Sequence, residues 1–185
     1  MPIYLYSFGS WRRSPSTGIF FNDEMNDFSI PGTKSDGLLA APANFIKPGK
    51  APMSSMSPSI ITKSDGSGVK LVLGGAGGIR IMTAIAYVII NHIYLNQTLE
   101  YSINTKRVHH QLSPMQILYE EGFDEDVLQF LQQKGHKVVQ ASAILSGFSS
   151  INGISVAVDG QLEAAVDNRR GGKAIIFEQE IDNIS

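Results

Sequence analysis

Three clusters in this 185-residue chain are built from residue types that can do chemistry. One is a glycine turn, Gly74-Gly75-Ala76-Gly77-Gly78, set between the apolar run Val69-Lys70-Leu71-Val72-Leu73 and an apolar segment of helical length. Four glycines in five positions let the backbone take φ > 0 and approach a ligand with no Cβ in the way, and a helix starting there presents unpaired N–H groups. Such a turn can hold an anion or an oxyanion, or serve as a tight strand-to-helix connection. It matches neither the dinucleotide fingerprint G-x-G-x-x-G nor the phosphate loop G-x-x-x-x-G-K-[ST]. Another is a carboxylate pair, Glu24 and Asp27, within Asn22-Asp23-Glu24-Met25-Asn26-Asp27-Phe28-Ser29, where Asp and Asn side chains compete for backbone groups and favour a loop. The last is Ser54-Ser55 in Pro52-Met53-Ser54-Ser55-Met56. Taken alone, the carboxylates read as a solvated loop and the serines as ordinary turn residues. His109 and His110 are adjacent, point to different faces and have no third ligand nearby, so they read as structural and no metal site is expected.

These clusters need elements to hold them. Residues 3–8 and 17–21 are aromatic and β-branched runs that suit strands, and residues 31–58, with Pro31, Pro42, Pro48, Pro52 and Pro58, read as a long loop of the kind that is usually functional or disordered. Residues 59–63 and 69–73 flank Ser64-Asp65-Gly66-Ser67-Gly68, which predicts a hairpin whose second strand delivers the glycine turn. Met82, Ile85, Ala86, Ile89 and Ile93 then recur at helical spacing and predict a helix with that face against a sheet. A second helix is expected after Thr98, to about Lys106, with a strand at 116–119 and a third helix after Asp124 that stops at Gly135. Residues 136–141 read as a strand, and 153–158 with 161–166 as a hairpin about Asp159-Gly160. The pattern predicts an α+β fold of antiparallel, hairpin-paired strands covered by helices, without alternating βαβ units.

Composition narrows the function classes. With 43% apolar and 17% charged residues the chain is globular, and one domain over residues 1–185 is expected. A formal charge of -2, with Trp11-Arg12-Arg13 the one short basic cluster, gives no footprint for nucleic acid. The absence of cysteine excludes disulfides, thiolate catalysis and Cys-ligated zinc. The first residues have neither a basic region nor a small-residue cleavage site, and the longest apolar segment, 81–90, is about half a membrane span, so no signal or membrane-crossing segment is expected here.

Taken as a set, the acidic stretch, the Pro-Met-Ser-Ser-Met stretch and the glycine turn resemble the small (light) subunit of γ-glutamyltransferase, also called glutathione hydrolase. Arg13-Ser14-Pro15, Ala43-Asn44-Phe45 with Pro48-Gly49-Lys50, Arg107-Val108-His109-His110-Gln111 and Asp167-Asn168-Arg169-Arg170-Gly171-Gly172 agree in order and spacing, so the resemblance covers nearly the whole chain. It implies part of an N-terminal-nucleophile hydrolase, an αββα sandwich that needs no cofactor. In that family a precursor cleaves itself, and the new N-terminal threonine attacks the γ-glutamyl amide of glutathione. The covalent glutamyl group then passes to water, an amino acid or a dipeptide. By motif, Glu24 and Asp27 would bind the α-ammonium, Ser54 and Ser55 the α-carboxylate, and the N–H groups of Gly77 and Gly78 would form the oxyanion hole. Two carboxylates are apt partners for an ammonium because charge-assisted hydrogen bonds are roughly twice as strong as neutral ones. The implied partner is the large subunit of the same enzyme, and the implied location is the extracellular face of the plasma membrane or the secreted fraction. Asn96-Gln97-Thr98 and Asn183-Ile184-Ser185 match the glycosylation pattern N-x-[ST] and agree with that location.

Departures from the family pattern fall at the start. Met1-Pro2-Ile3-Tyr4-Leu5-Tyr6 enters partway through the strand that the family's threonine begins, Tyr4 stands where the family has a substrate-contacting asparagine, and Ser7 is an insertion. The chain alone is therefore expected to lack the nucleophile and to be inactive. A non-catalytic light-chain-like protein that binds γ-glutamyl compounds or a large-subunit partner is the competing reading.

Overall fold

The computed structural model describes residues 9–35, 38–141, 147–157 and 159–177. The expected strand at 3–8 lies outside them. The expected strand at 17–21 is reduced to a single bridge between Arg13 and Phe20, with Ile19, Phe20 and Phe21 all more than half exposed. The acidic stretch closes into a 3-10 turn at Glu24–Asp27. The proline-rich segment carries a two-residue ladder, β1 (Lys34–Ser35) with β2 (Leu38–Leu39), and a second 3-10 turn at Pro42–Asn44. Proline opens that turn where its fixed φ suits and no N–H is needed.

The first predicted hairpin forms as β3 (Ser59–Thr62) and β4 (Val69–Ala76), with Ser59 opposite Leu73. β4 runs further than the sequence indicates. Gly74, Gly75 and Ala76 stay in the ladder, opposite Asn152, Ile151 and Ser150, and only Gly77 (φ 135°) and Gly78 (φ 64°) leave it. A 3-10 turn at Gly78–Arg80 leads into α1 (Ile81–Ile89), which a π turn extends to Tyr94. The buried face of α1 is Ile81, Ala84, Ile85 and Val88, while Met82 is 58% exposed and Ala86 is also exposed. The segment is apolar on most sides, so its periodicity did not choose a face; packing against Leu71 and Leu73 of the sheet does.

Helix α2 (Leu99–Asn104) starts where Thr98 accepts the Tyr101 N–H on its hydroxyl at 3.1 Å. A small sheet follows: β5 (Val108–His109), β6 (Ile117–Tyr119), then α3 (Glu125–Gln133), capped by the Asp124 carboxylate, and β7 (Val138–Gln140). Gly135 (φ 88°) ends α3 as expected. β6 and β7 are parallel, so β6-α3-β7 is a βαβ unit that the antiparallel expectation excluded. A connection through a helix carries the chain back across the sheet and delivers the next strand in the same direction. The last hairpin, β8 (Ser150–Val156) and β9 (Leu162–Ala165), forms as predicted.

The main sheet has the order β3-β4-β8-β9 and is antiparallel throughout. Leu71, Leu73, Ile151 and Ala165 from its strands pack against Ile81, Ile85 and Val88 of α1 and Leu99 and Ile103 of α2. The opposite face carries a cross-strand row, Ile60, Val72 and Ile154, that is 66%, 37% and 48% exposed. Helices cover one side of this sheet, and an apolar side remains open among the described residues.

Candidate functional site

The acidic turn concentrates negative charge. Glu24 is exposed and Asp27 partly buried. Partial burial, then the charges of Glu24 and Asp23 and a hydrogen bond with Glu24, hold the Asp27 carboxyl above its ordinary 3.8. The turn is fastened from behind by Asn44, itself 5% exposed, whose Nδ2–H group donates to the Asp27 carbonyl at 2.7 Å and to Ser29 Oγ at 3.3 Å. The Ser29 N–H returns a bond to the Asn44 carbonyl at 3.1 Å. On its other side, Asn44 Oδ1 accepts the N–H of Met53 at 2.9 Å, the residue before Ser54. The acidic turn and the serine pair are thus joined through one side-chain amide. Ser54 Oγ accepts the Met56 N–H at 3.2 Å, which leaves the hydroxyl proton available to an incoming acceptor.

Ser59 faces Leu73 in the first pair of the β3–β4 ladder, so the chain enters β3 from the serine pair at the end of the hairpin towards which β4 carries the glycine turn. At Gly77, a Cβ would stand 2.6 Å from Ser149 Cα, and the observed φ of 135° is one that side-chain-bearing residues rarely adopt. Ser149 Oγ–H donates to the Gly77 carbonyl at 3.3 Å. Gly78 opens a 3-10 turn and then α1, so the first N–H groups there have no intrahelical partner and can meet negative charge.

Ser149 is held by a buried ionic network. Arg107, 0% exposed, donates from Nη1 to the Ser149 carbonyl at 2.6 Å and from Nη2 to Asp167 Oδ2 at 2.9 Å and to the Ile103 carbonyl. The same Asp167 oxygen takes the Ile151 N–H at 2.8 Å. Its other oxygen takes the N–H and Nη1 of Arg169, both at 2.9 Å. Arg169 clasps Glu120 through Nε and Nη2 at 2.6 and 2.5 Å, and Glu120 accepts the Arg107 N–H at 2.7 Å. Burial raises the Asp167 pKa, but the two backbone N–H donors and the two guanidinium groups outweigh it and hold the carboxyl below 3.8. The network ties the end of α2 and the small sheet to the strand behind the glycine turn. His109 is structural, with Nδ1 on Thr83 Oγ1 at 2.8 Å and Nε2 on Gln111 Oε1 at 2.9 Å. No cluster that would hold a metal occurs among the described residues.

The family model described as gamma-glutamyltranspeptidase matches residues 3–177. The chain belongs to the γ-glutamyltranspeptidase family. It is 40% identical over 174 residues to Scoloptoxin SSD20 of Scolopendra dehaani, covering 94% of this chain and 86% of that one. It is 42% identical over 147 residues to Glutathione hydrolase 3 of Arabidopsis thaliana, covering 74% of this chain and 23% of that protein. Like the Arabidopsis protein, Scoloptoxin SSD14 is much longer, and the chain spans 28% of it. The solved γ-glutamyltranspeptidase of Pseudomonas nitroreducens complexed with L-DON superposes with a TM-score of 0.76 at 36% identity, over 94% of this chain and 90% of that one. The fold is that of N-terminal-nucleophile hydrolases, and the helix-backed sheet of this chain is part of the αββα sandwich.

Of the six residues singled out from the sequence, Glu24 and Asp27 share one turn that Asn44 ties to the segment of Ser54 and Ser55, and Gly77 and Gly78 form the turn between β4 and α1. Asn44, Ser149, Glu120 and the roles of Arg107, Asp167 and Arg169 were not legible in the sequence. The signal that stood in the sequence for Asn44 was an amide inside a proline-flanked loop between the two candidate segments. For Glu120 and Ser149 there was none.

Proposed function

We propose that this chain supplies the γ-glutamyl-binding and oxyanion-stabilising part of a glutathione hydrolase that transfers the glutamyl group to water, amino acids or dipeptides. The observation that supports this most is the tie that Asn44 makes between the acidic turn and the residue before the serine pair. Glu24 and Asp27 take the α-ammonium, and Ser54 and Ser55 donate to the α-carboxylate. The N–H groups of Gly77 and Gly78 receive the oxyanion formed when the nucleophile adds to the γ-carbonyl. The resemblance assigns the nucleophile to an N-terminal threonine activated by its own α-amine. Collapse of the adduct breaks the carbon–nitrogen bond, the departing amine takes a proton, and water or an amino acid then takes the acyl group. A large-subunit partner is the occupant we assign to the open face marked by Ile60, Val72 and Ile154. Extracellular placement is supported by Asn96, exposed within its N-x-[ST] triplet. Among the described residues no helix is long and apolar enough to cross a membrane.

The test is Asp27→Asn in the assembled two-subunit enzyme. Loss of one charged partner of the ammonium is expected to cost about 2 kcal/mol, or roughly thirtyfold in kcat/KM for a γ-glutamyl anilide. Unchanged kcat/KM would reject the assignment of Asp27.

The raised pKa of Asp27 adds a pH signature. Only the ionised carboxylate attracts the ammonium, so kcat/KM of the parent should rise with pH through a value above the ordinary aspartate range and level off. Asp27→Asn should remove that acidic limb. A limb that persists unchanged in the variant would assign the titration to another group.

A further inference from the structure

We propose that Asn44 is a positioning residue that sets the distance between the acidic turn and the serine pair, and thereby selects acyl groups carrying an ammonium and a carboxylate on one carbon. This rests on the γ-glutamyl reading of the site. An α-amino acid fixes the separation of its two charged groups, so a site that grips both must hold its own two halves at a matching separation. Here the halves come from segments far apart in sequence, and what spans them is the side-chain amide of Asn44.

Its geometry is that of a bracket. Both directions of the amide are used: Nδ2–H toward Asp27 and Ser29, Oδ1 toward the Met53 N–H. The residue is 5% exposed, so none of these bonds is readily replaced by water. Its backbone is fixed as well, donating to the Ala41 carbonyl at 2.9 Å and accepting from Ser29. Lys50 closes the loop around it, with Nζ donating to the carbonyl of Ala43 and to that of Phe45 at 3.1 Å, the residues on either side of Asn44. An asparagine that only stabilised its own loop would spend its side chain within residues 41–50. This one spends it entirely outside them, on the two recognition segments.

The experiment compares three anilides in the assembled enzyme: γ-glutamyl, with both charged groups; glutaryl, without the ammonium; and 4-aminobutyryl, without the α-carboxylate. In Asn44→Ala the KM for the γ-glutamyl substrate should rise on the order of tenfold to a hundredfold, while the two truncated substrates, each gripped by one half, should change by less than about threefold. Asn44→Asp, which keeps the acceptor for Met53 but cannot donate to Asp27, should give the same selective loss. Lys50→Met leaves Asn44 in place and should give a smaller loss of the same kind if either Asn44 variant fails to fold. Equal losses for all three substrates, or an unchanged γ-glutamyl KM, would overturn the positioning role. A parent enzyme that does not prefer the γ-glutamyl substrate over the truncated ones would instead overturn the reading of the site, and this proposal with it.

Discussion

Gly77→Ala should reduce acyl transfer by the assembled enzyme at least about a hundredfold, the typical loss when one oxyanion donor is removed, while the protein remains folded. Two constraints act together at this position. The φ of 135° is costly for any residue with a Cβ, and that atom would sit 2.6 Å from Ser149 Cα and 2.9 Å from Ser149 Cβ. Ser149 is poorly placed to retreat, because its carbonyl is bonded to the buried Arg107 guanidinium. The turn must therefore move, and its N–H groups turn away from the acyl oxygen. The strain itself is of order 1–3 kcal/mol, within what a folded domain withstands. Gly74→Ala is the matched control, since a Cβ there meets nothing within 4 Å. Steady-state rates of the two variants with a γ-glutamyl anilide decide the matter: similar activity in both would remove Gly77 from the oxyanion site.

The largest stability effect is expected at Asp167. Asp167→Ala removes the partner of Arg107 while leaving that guanidinium fully buried, and it strips the acceptor from the N–H groups of Ile151 and Arg169. Breaking a buried pair in this way costs about 3–5 kcal/mol. Urea unfolding of parent and variant measures it, and a difference below about 1 kcal/mol would show that the network is dispensable. The pH dependence has a definite sign. Because the folded-state pKa of Asp167 lies below 3.8, its contribution is fully present above the unfolded-state value and is lost as pH falls through the folded one. Asp167→Ala should lack that share of the acid sensitivity.

What the sequence revealed, and what it withheld, follow from the range of the interactions involved. The hairpins β3-β4 and β8-β9 and the caps at Thr98 and Asp124 are local devices, written in a few consecutive residues. The rotation of α1 is not local: Met82 and Ile81 are equally apolar, and only packing on Leu71 and Leu73 buries one and exposes the other. The parallel pairing of β6 with β7 depends on where α3 packs, which no strand pattern records. In the site, the reactive residue types stood out once their motifs were read together. Their supports did not, because Asn44 reaches Asp27 across 17 residues and Arg169 reaches Glu120 across 49, with no periodicity to announce either.

The most direct test of the γ-glutamyl assignment is a crystal structure of the assembled enzyme with L-glutamate bound. The α-ammonium is expected within hydrogen-bonding distance of Glu24 and Asp27, the α-carboxylate at the Ser54 and Ser55 hydroxyls, and the γ-carboxyl against the N–H groups of Gly77 and Gly78. Glutamate seated away from these three segments, or bound with its ammonium turned from the acidic turn, would contradict it.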